Sequence, residues 1–161
     1  MMKESEIKKR ENQRTCILQI SAELEGNPGP AGAAAILLDE NRTVLFRFRK
    51  GLGDDLMGDN QTYDAAHYRA LILGLNQAKM KGYNSIIVES NLQSLINQIK
   101  GSEPVEQYSR DLWMEASRLK ETFCSFNIRR IIGVDNEVAD EEAEKATRLW
   151  EGEFEEEDSK S

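Results

Sequence analysis

Short apolar runs and one alternating segment mark the first third of the chain. Residues 15–22 and 31–39 are mostly apolar, and the Gly-Asn-Pro-Gly-Pro segment between them is typical of a turn, which predicts two buried strands. Residues 44–49 place valine and phenylalanine at alternate positions, with a leucine and two arginines between them. This period of two predicts a third strand with one face nearer water, followed by a polar loop.

Apolar residues recur at helical spacing along the rest of the chain. The pattern predicts helices over residues 64–80, 92–100, 108–119 and 136–150, with short strands at 86–88 and from 126 onward. The last helix carries Glu142 within its apolar stripe. Three strands followed by alternating helices and strands predict an α/β fold, a mixed five-stranded sheet in which an antiparallel meander is joined by parallel strands and flanked by helices.

Charge distinguishes the ends of the chain from its middle. Residues 1–13 are charged and 151–161 form an acidic run, so both are predicted to be flexible tails outside one domain at 14–150. The net charge is −8 and is not confined to the tail, which argues against tight nucleic-acid binding. No apolar run could span a bilayer or act as a signal peptide, so we expect an intracellular protein, cytoplasmic or nuclear, with an organelle left open.

The two cysteines offer no separate chemistry. Cys16 and Cys124 lie far apart and match neither a zinc spacing nor a disulfide framework. We therefore expect buried thiols.

Four segments carry a family resemblance. They are residues 26–32 (GNPGPAG), 68–75 (YRALILGL), 97–101 (NQIKG) and 136–140 (NEVAD). In this order and in these predicted elements, the chain resembles the ribonuclease H-like superfamily, in particular its reverse-transcriptase-like branch abundant in plants. The resemblance implies a ribonuclease H fold across roughly residues 15–149.

The resemblance also implies where catalytic carboxylates would lie. Family enzymes cleave the RNA strand of an RNA–DNA hybrid with two Mg²⁺ ions held by four carboxylates. The corresponding positions here are Ser21, His67, Asn91 and Asp140, so one acid remains. Arg130 stands where the family has a histidine, and arginine stays protonated. The expected consequence is a pseudoenzyme with a degenerate active site and without Mg²⁺ as cofactor.

Rescue of the metal site by other acids is an alternative. Glu23 and Glu89 each lie two residues from a lost carboxylate and could rebuild a weak metal-dependent ribonuclease H with Asp140. Catalysis by metal ions tolerates little misplacement of the carboxylates that bind them, which argues against this alternative. His67 and Asp140 alone supply too few ligands for zinc.

Two roles then remain for a domain without catalysis. The first is a protein-interaction or regulatory module with an unidentified protein partner, which the acidic balance favours. The second is a non-cleaving protein that binds RNA or an RNA–DNA hybrid. The candidate contacts for nucleic acid are Gly26, Asn27, Gly29, Thr62, Arg129, Arg130 and Asn136.

Overall fold

A computed structural model describes Lys3 and residues 12–26, 29–53 and 63–159. Its strands are β1 (Thr15–Leu24), β2 (Ala31–Leu38), β3 (Val44–Gly53), β4 (Ser85–Ser90), β5 (Ser125–Arg130) and β6 (Phe154–Asp158). Its helices are α1 (Tyr63–Met80), α2 (Gln93–Lys100), α3 (Arg110–Glu121) and α4 (Glu137–Ala146). Short 3₁₀ turns precede α3 and α4, at Gln107–Ser109 and Gly133–Asn136.

The strands form one mixed sheet, which confirms the predicted fold class. The described strands lie in the order β5-β4-β1-β2-β3-β6. Strand β1 pairs antiparallel with β2 and parallel with β4, and β4 continues parallel to β5. The parallel part brings the carboxyl ends of β1, β4 and β5 to the same end of the sheet. The predicted strand count was one too low, because β6 joins the outer edge of β3.

The acidic segment was predicted to be a flexible tail, and the structure differs there. Residues 154–158 pair antiparallel with β3 over five residue pairs. All five side chains are exposed, so the segment carries no pattern of buried apolar positions that would predict a strand. Its partner β3 supplies arginines opposite the acids instead.

The two sides of the sheet are covered by α1 and α4. At Gly74 in α1, an added Cβ would lie 2.5 Å from Leu18 Cδ2, so the glycine lets the helix approach β1 closely. At Gly32 in β2, a Cβ would lie 2.5 Å from the Thr147 nitrogen, so the end of α4 approaches β2 equally closely. Helix α1 is therefore held close to β1, and the end of α4 close to β2.

The four predicted helices are confirmed, with one difference at the last. Helix α4 ends at Ala146 instead of residue 150, and Thr147 donates both its amide and its hydroxyl to the Glu144 carbonyl. This pattern of bonds closes the last turn tightly. Cys16 is buried as predicted, whereas Cys124 is exposed just before β5, so the prediction of a buried thiol was wrong there. None of the described helices has the length and hydropathy to cross a membrane.

Candidate functional site

Ser21 and Asp140 form the centre of the candidate site. Ser21 is buried near the end of β1, and its Oγ donates a hydrogen bond of 2.6 Å to Asp140 Oδ1. Asp140 lies in the first turn of α4, where the positive end of the helix dipole favours a carboxylate. A neutral hydroxyl therefore contacts directly the acid that the sequence singled out as retained.

His67 lies on α1 and is 2% exposed. Its Nδ1 is 2.8 Å from the Tyr63 carbonyl oxygen, and its ring stacks on Tyr63 with centroids 5.2 Å apart. Burial lowers the pKa of His67, and the Tyr63 carbonyl, Asp64 and Asp140 offset that effect only in part. The imidazole is thus neutral at pH 7, with Nδ1 carrying the proton that the carbonyl accepts.

Asn91 and Arg130 complete the same end of the sheet. Asn91 directly follows β4, and continuing the parallel β1–β4 register by two residues from Gln19 and Glu89 sets it level with Ser21. Arg130 is the last residue of β5 and is exposed. Ser21 and His67 thus interact with Asp140, while Asn91 and Arg130 lie at the carboxyl ends of the parallel strands β4 and β5.

This donor set does not fit a pair of Mg²⁺ ions. Magnesium needs anionic oxygens to offset the loss of its hydration shell, and the site offers a hydroxyl, a neutral imidazole, an amide and one carboxylate. Within residues 12–26, 29–53 and 63–159, no group of three or more His, Cys, Asp or Glu side chains is placed to hold a metal ion.

Glu89 was a candidate for rebuilding the site, but its oxygens are already engaged. Oε1 accepts hydrogen bonds from Gln19 Nε2 at 3.0 Å and Arg42 Nη1 at 3.1 Å. Oε2 accepts from Arg42 Nη2 and Arg129 Nη2, each at 2.6 Å. Burial raises the pKa of Glu89, but these hydrogen bonds outweigh it and lower the pKa to about 2. Glu89 is therefore the buried centre of an ion cluster whose two arginines are about half exposed.

Glu23 is in a different environment. Partial burial raises its pKa first, and the negative charges of Glu25, Glu144 and Asp140 add to the effect. Glu23 and Asp140 therefore lie within electrostatic reach of each other. Partial burial and repulsion from the three neighbouring acids therefore account together for the raised pKa of Glu23.

The Glu89 ion cluster should make stability depend on pH. Because the folded-state pKa is below the usual 4.5, this stabilisation is full above that value and is lost as the pH falls toward about 2. We expect the free energy of unfolding in urea to fall less steeply with acidification in Glu89→Gln than in the wild type. The exposed Glu121→Gln is the matched control and should keep the wild-type slope; equal slopes in all three proteins would contradict the assignment.

Comparison with known proteins identifies the family. Residues 20–146 match the family described as "Reverse transcriptase-like". The chain belongs to this family. Its sheet and helices are also those of ribonuclease H domains of known structure, which supports the predicted resemblance.

Several solved structures are similar to this reverse transcriptase-like domain. The N-terminal RNase H domain of Rv2228c from Mycobacterium tuberculosis, fused to maltose binding protein, has a TM-score of 0.76 and 26% identity, covering 84% of this chain and 94% of that one. LC11-RNase H1 in complex with an RNA/DNA hybrid has a TM-score of 0.73 and 25% identity, with coverages of 82% and 96%. RNase H1 from Halobacterium salinarum, at 24% identity and a TM-score of 0.75 with coverages of 82% and 96%, shows the fold alone.

A curated relative has a longer chain. The bifunctional protein Rv2228c of Mycobacterium tuberculosis is 27% identical over 132 residues, which are 81% of this chain and 35% of that protein. The reverse transcriptase-like domain thus spans about a third of the length of the curated relatives that it matches.

The candidate nucleic-acid contacts of the reverse transcriptase-like domain fall into different environments. Gly26, with φ +106°, and Gly29 lie between β1 and β2, and a Cβ at Gly29 would lie 2.1 Å from the Glu25 oxygen. Asn27 and Thr62 lie outside the described residues. Glycine at both turn positions is therefore explained by backbone geometry.

Two of the polar candidates for nucleic-acid contact already bind other groups of the domain. Arg129 binds Glu89, which offsets its charge, although its side chain is 46% exposed. Asn136 is fully buried, and its Nδ2 donates to the Ile20 carbonyl at 2.9 Å, so it positions α4 against β1 beside Ser21. Arg130 remains exposed at the end of β5.

Sequence reasoning missed the partners of the buried acids. Arg42 pairs with Glu89 from a turn residue with φ +67°, which is uncommon for a residue with a side chain. Arg47 and Arg49 on β3 pair with Glu142 on helix α4. The sequence did contain a signal for the Glu142 pairs. Glu142 is a lone acid in the apolar stripe of the last helix, and Arg47 and Arg49 lie on one face of β3.

Proposed function

We propose that this reverse transcriptase-like domain does not cleave RNA with two metal ions and acts instead as a protein-interaction or regulatory module. The observation that supports the proposal is the 2.6 Å hydrogen bond between Ser21 Oγ and Asp140 Oδ1. A family enzyme would need carboxylates at both positions to hold its metal ions. Here a hydroxyl satisfies the single carboxylate directly.

Charge also argues against a second carboxylate set. Glu89 is held by two arginines and a glutamine, so binding a metal there would leave Arg42 and Arg129 without their buried partner. A divalent cation at Glu89 would also lie beside these two guanidinium groups, and like charges repel. Glu23 and Asp140 alone give too few ligands for a pair of ions.

A protein partner fits the charge of the domain better than a polyanion does. The chain carries a net charge of −8, and β6 adds a row of acids at the edge of the sheet. Proteins that bind nucleic acid gain most of their affinity by neutralising phosphates with lysine and arginine. Arg129 in this site is already paired with Glu89.

Binding of a hybrid without cleavage is the second candidate. It is favoured by the likeness to LC11-RNase H1, whose structure contains an RNA/DNA hybrid, and by the exposed Arg130 at the same end of the sheet. Such binding should weaken steeply with added salt, whereas a protein module should show no retention of the hybrid at physiological salt.

A cleavage assay tests the proposal. We expect the purified wild-type protein to leave a labelled RNA–DNA hybrid intact in Mg²⁺, because the site lacks the anionic oxygens that the ions need. Asp140→Asn should behave like the wild type, and LC11-RNase H1 serves as the active reference. Mg²⁺-dependent cleavage that disappears in Asp140→Asn would refute the proposal.

A further inference from the structure

The outer edge of β3 is basic and aromatic, and the chain covers it with its own last strand. We call this surface the β3 edge and define it by Phe46, Arg47, Phe48, Arg49 and Lys50 together with Lys81 in the turn after α1. Strand β6 lies against it with Phe154 opposite Lys50 and Asp158 opposite Phe46. The β3 edge is therefore a strand-binding surface whose occupant is acidic.

On the α1 side, the β3 edge recognises an aromatic ring and an acid. Phe154 stacks on Phe48 with centroids 6.2 Å apart, and Phe48 stacks on Phe46 at 5.9 Å. Lys81 Nζ lies 4.4 Å from the centre of the Phe46 ring and 2.9 Å from Glu156 Oε2. An occupying strand thus extends an aromatic row and meets a cation two residues later.

On the α4 side, the β3 edge presents two arginines that also pair with a buried acid of α4. Arg49 Nε contacts Glu155 Oε1 at 3.0 Å, and Arg47 Nε is 3.7 Å from Glu157 Oε2. Both guanidinium groups also pair with Glu142, whose side chain is fully buried. Glu142 keeps the arginines oriented toward the edge, which reduces the entropy that an occupying acid would have to overcome.

The backbone contacts are those of an ordinary antiparallel ladder. The Gly51 amide donates to the Glu153 carbonyl at 2.9 Å, the Gly152 amide donates to the Gly51 carbonyl at 2.9 Å, and the Ser159 amide donates to the Leu45 carbonyl at 3.1 Å. All five β6 side chains are exposed, so the strand is held by backbone bonds, ion pairs and one ring contact and not by deep burial. Such a strand can be exchanged for another of the same chemistry.

We propose that the β3 edge is a strand-addition site for an acidic extended segment of a partner protein, led by an aromatic residue, and that residues 154–158 are its intramolecular occupant. This inference deepens the protein-interaction role proposed above and rests on it. Charge complementarity selects the partner, since alternate positions of the incoming strand face Arg47 and Arg49 on one side and Lys81 on the other. Because β6 belongs to the same chain, it competes with a partner strand for the β3 edge at a high effective concentration. A partner must therefore bind tightly enough to displace it.

The test uses the full chain with its own strand displaced. In the triple variant Glu155→Lys, Glu156→Lys, Glu157→Lys, like charges should drive β6 from the edge. A fluorescent peptide with the sequence of residues 150–159 should then bind about tenfold or more tightly than it binds the wild type. Binding should weaken markedly at about 0.5 M salt, because exposed ion pairs are screened. Hydrogen exchange should show the Gly51 amide deprotected in the variant and protected again by the peptide.

Matched controls separate strand addition from nonspecific charge. A shuffled peptide of the same composition should not restore Gly51 protection. Lys81→Glu in the triple variant should weaken peptide binding, whereas Lys100→Glu, which reverses the same charge on α2, should not. The single variant Glu156→Lys should show intermediate affinity and serves if the triple variant does not fold.

Three results would overturn the inference. They are absence of peptide binding to both the triple variant and Glu156→Lys, equal binding of the shuffled peptide, or a wild-type dimer formed by exchange of β6 between two copies. Cleavage of a hybrid by the same protein would refute the proposed function but would leave peptide binding intact, so the two failures are distinguishable.

Discussion

Mg²⁺-dependent cleavage of an RNA–DNA hybrid should appear in the triple variant Ser21→Asp, His67→Glu, Asn91→Asp, at about 100-fold or more above the wild-type background. These three positions lie with Asp140 at one end of the sheet, where β1, β4, α1 and α4 meet. The fold already provides the placement, and the substitutions provide the anionic oxygens. Single-turnover cleavage of a labelled hybrid measures the effect.

The restored site has a physical readout besides activity. Without metal, four acids in one place repel one another, so the triple variant should melt below the wild type and recover on addition of Mg²⁺. The wild type should show no such Mg²⁺-dependent rise in Tm. Asp140→Asn in the restored background is the control and should abolish both cleavage and metal stabilisation. A restored variant that gains neither property would show that more than the carboxylates has changed.

Loss of about 3 kcal/mol in the free energy of unfolding is expected for Glu142→Ala, because the change removes the fully buried acid that pairs with the largely buried guanidinium of Arg49. Glu142 is fully buried and binds Arg47 Nη1 and Lys145 Nζ, each at 3.2 Å, and Arg49 Nη1. Burial raises the pKa of Glu142, but the hydrogen bonds from Arg49, Lys145 and Arg47 outweigh it and lower the pKa. Arg49, whose side chain is 11% exposed, would lose the most. Urea denaturation measures the change.

Glu144→Ala is the matched control on the same helix. Glu144 is 59% exposed and pairs at 3.6 Å with Arg148, which is 69% exposed. Exposed pairs contribute at most about 1 kcal/mol, so this variant should remain close to the wild type. A loss in Glu144→Ala as large as that in Glu142→Ala would contradict the stabilising role assigned to the ion pairs of the buried Glu142.

The alternating and helical patterns predicted most of the fold correctly. Phe46 and Phe48 indicated β3, and the leucines of α1 indicated the helix that covers β1, because apolar side chains at strand and helix spacing pack into the core. Strand β6 was missed for the opposite reason. Its residues bury no face, so what holds the segment is pairing with a distant basic strand, which a local pattern does not contain.

The candidate site was predictable in position and less so in its contacts. The motif order placed Ser21, His67, Asn91 and Asp140 together, and the structure brings them to one end of the sheet. The fate of Glu89 could not be predicted, because its partners Arg42 and Arg129 are 47 and 40 residues away along the chain. Such pairs are fixed by the strand order and by a turn with positive φ, which no local pattern predicts.

The acids of β6 also determine what the domain does at high concentration. Sheet edges are natural sites of self-association, because their unpaired backbone groups can bond to another chain. Here the last strand carries Glu155, Glu156, Glu157 and Asp158 in succession, so two molecules approaching along this edge would bring like charges together. Solutions of the domain should therefore stay free of edge-to-edge aggregates near neutral pH.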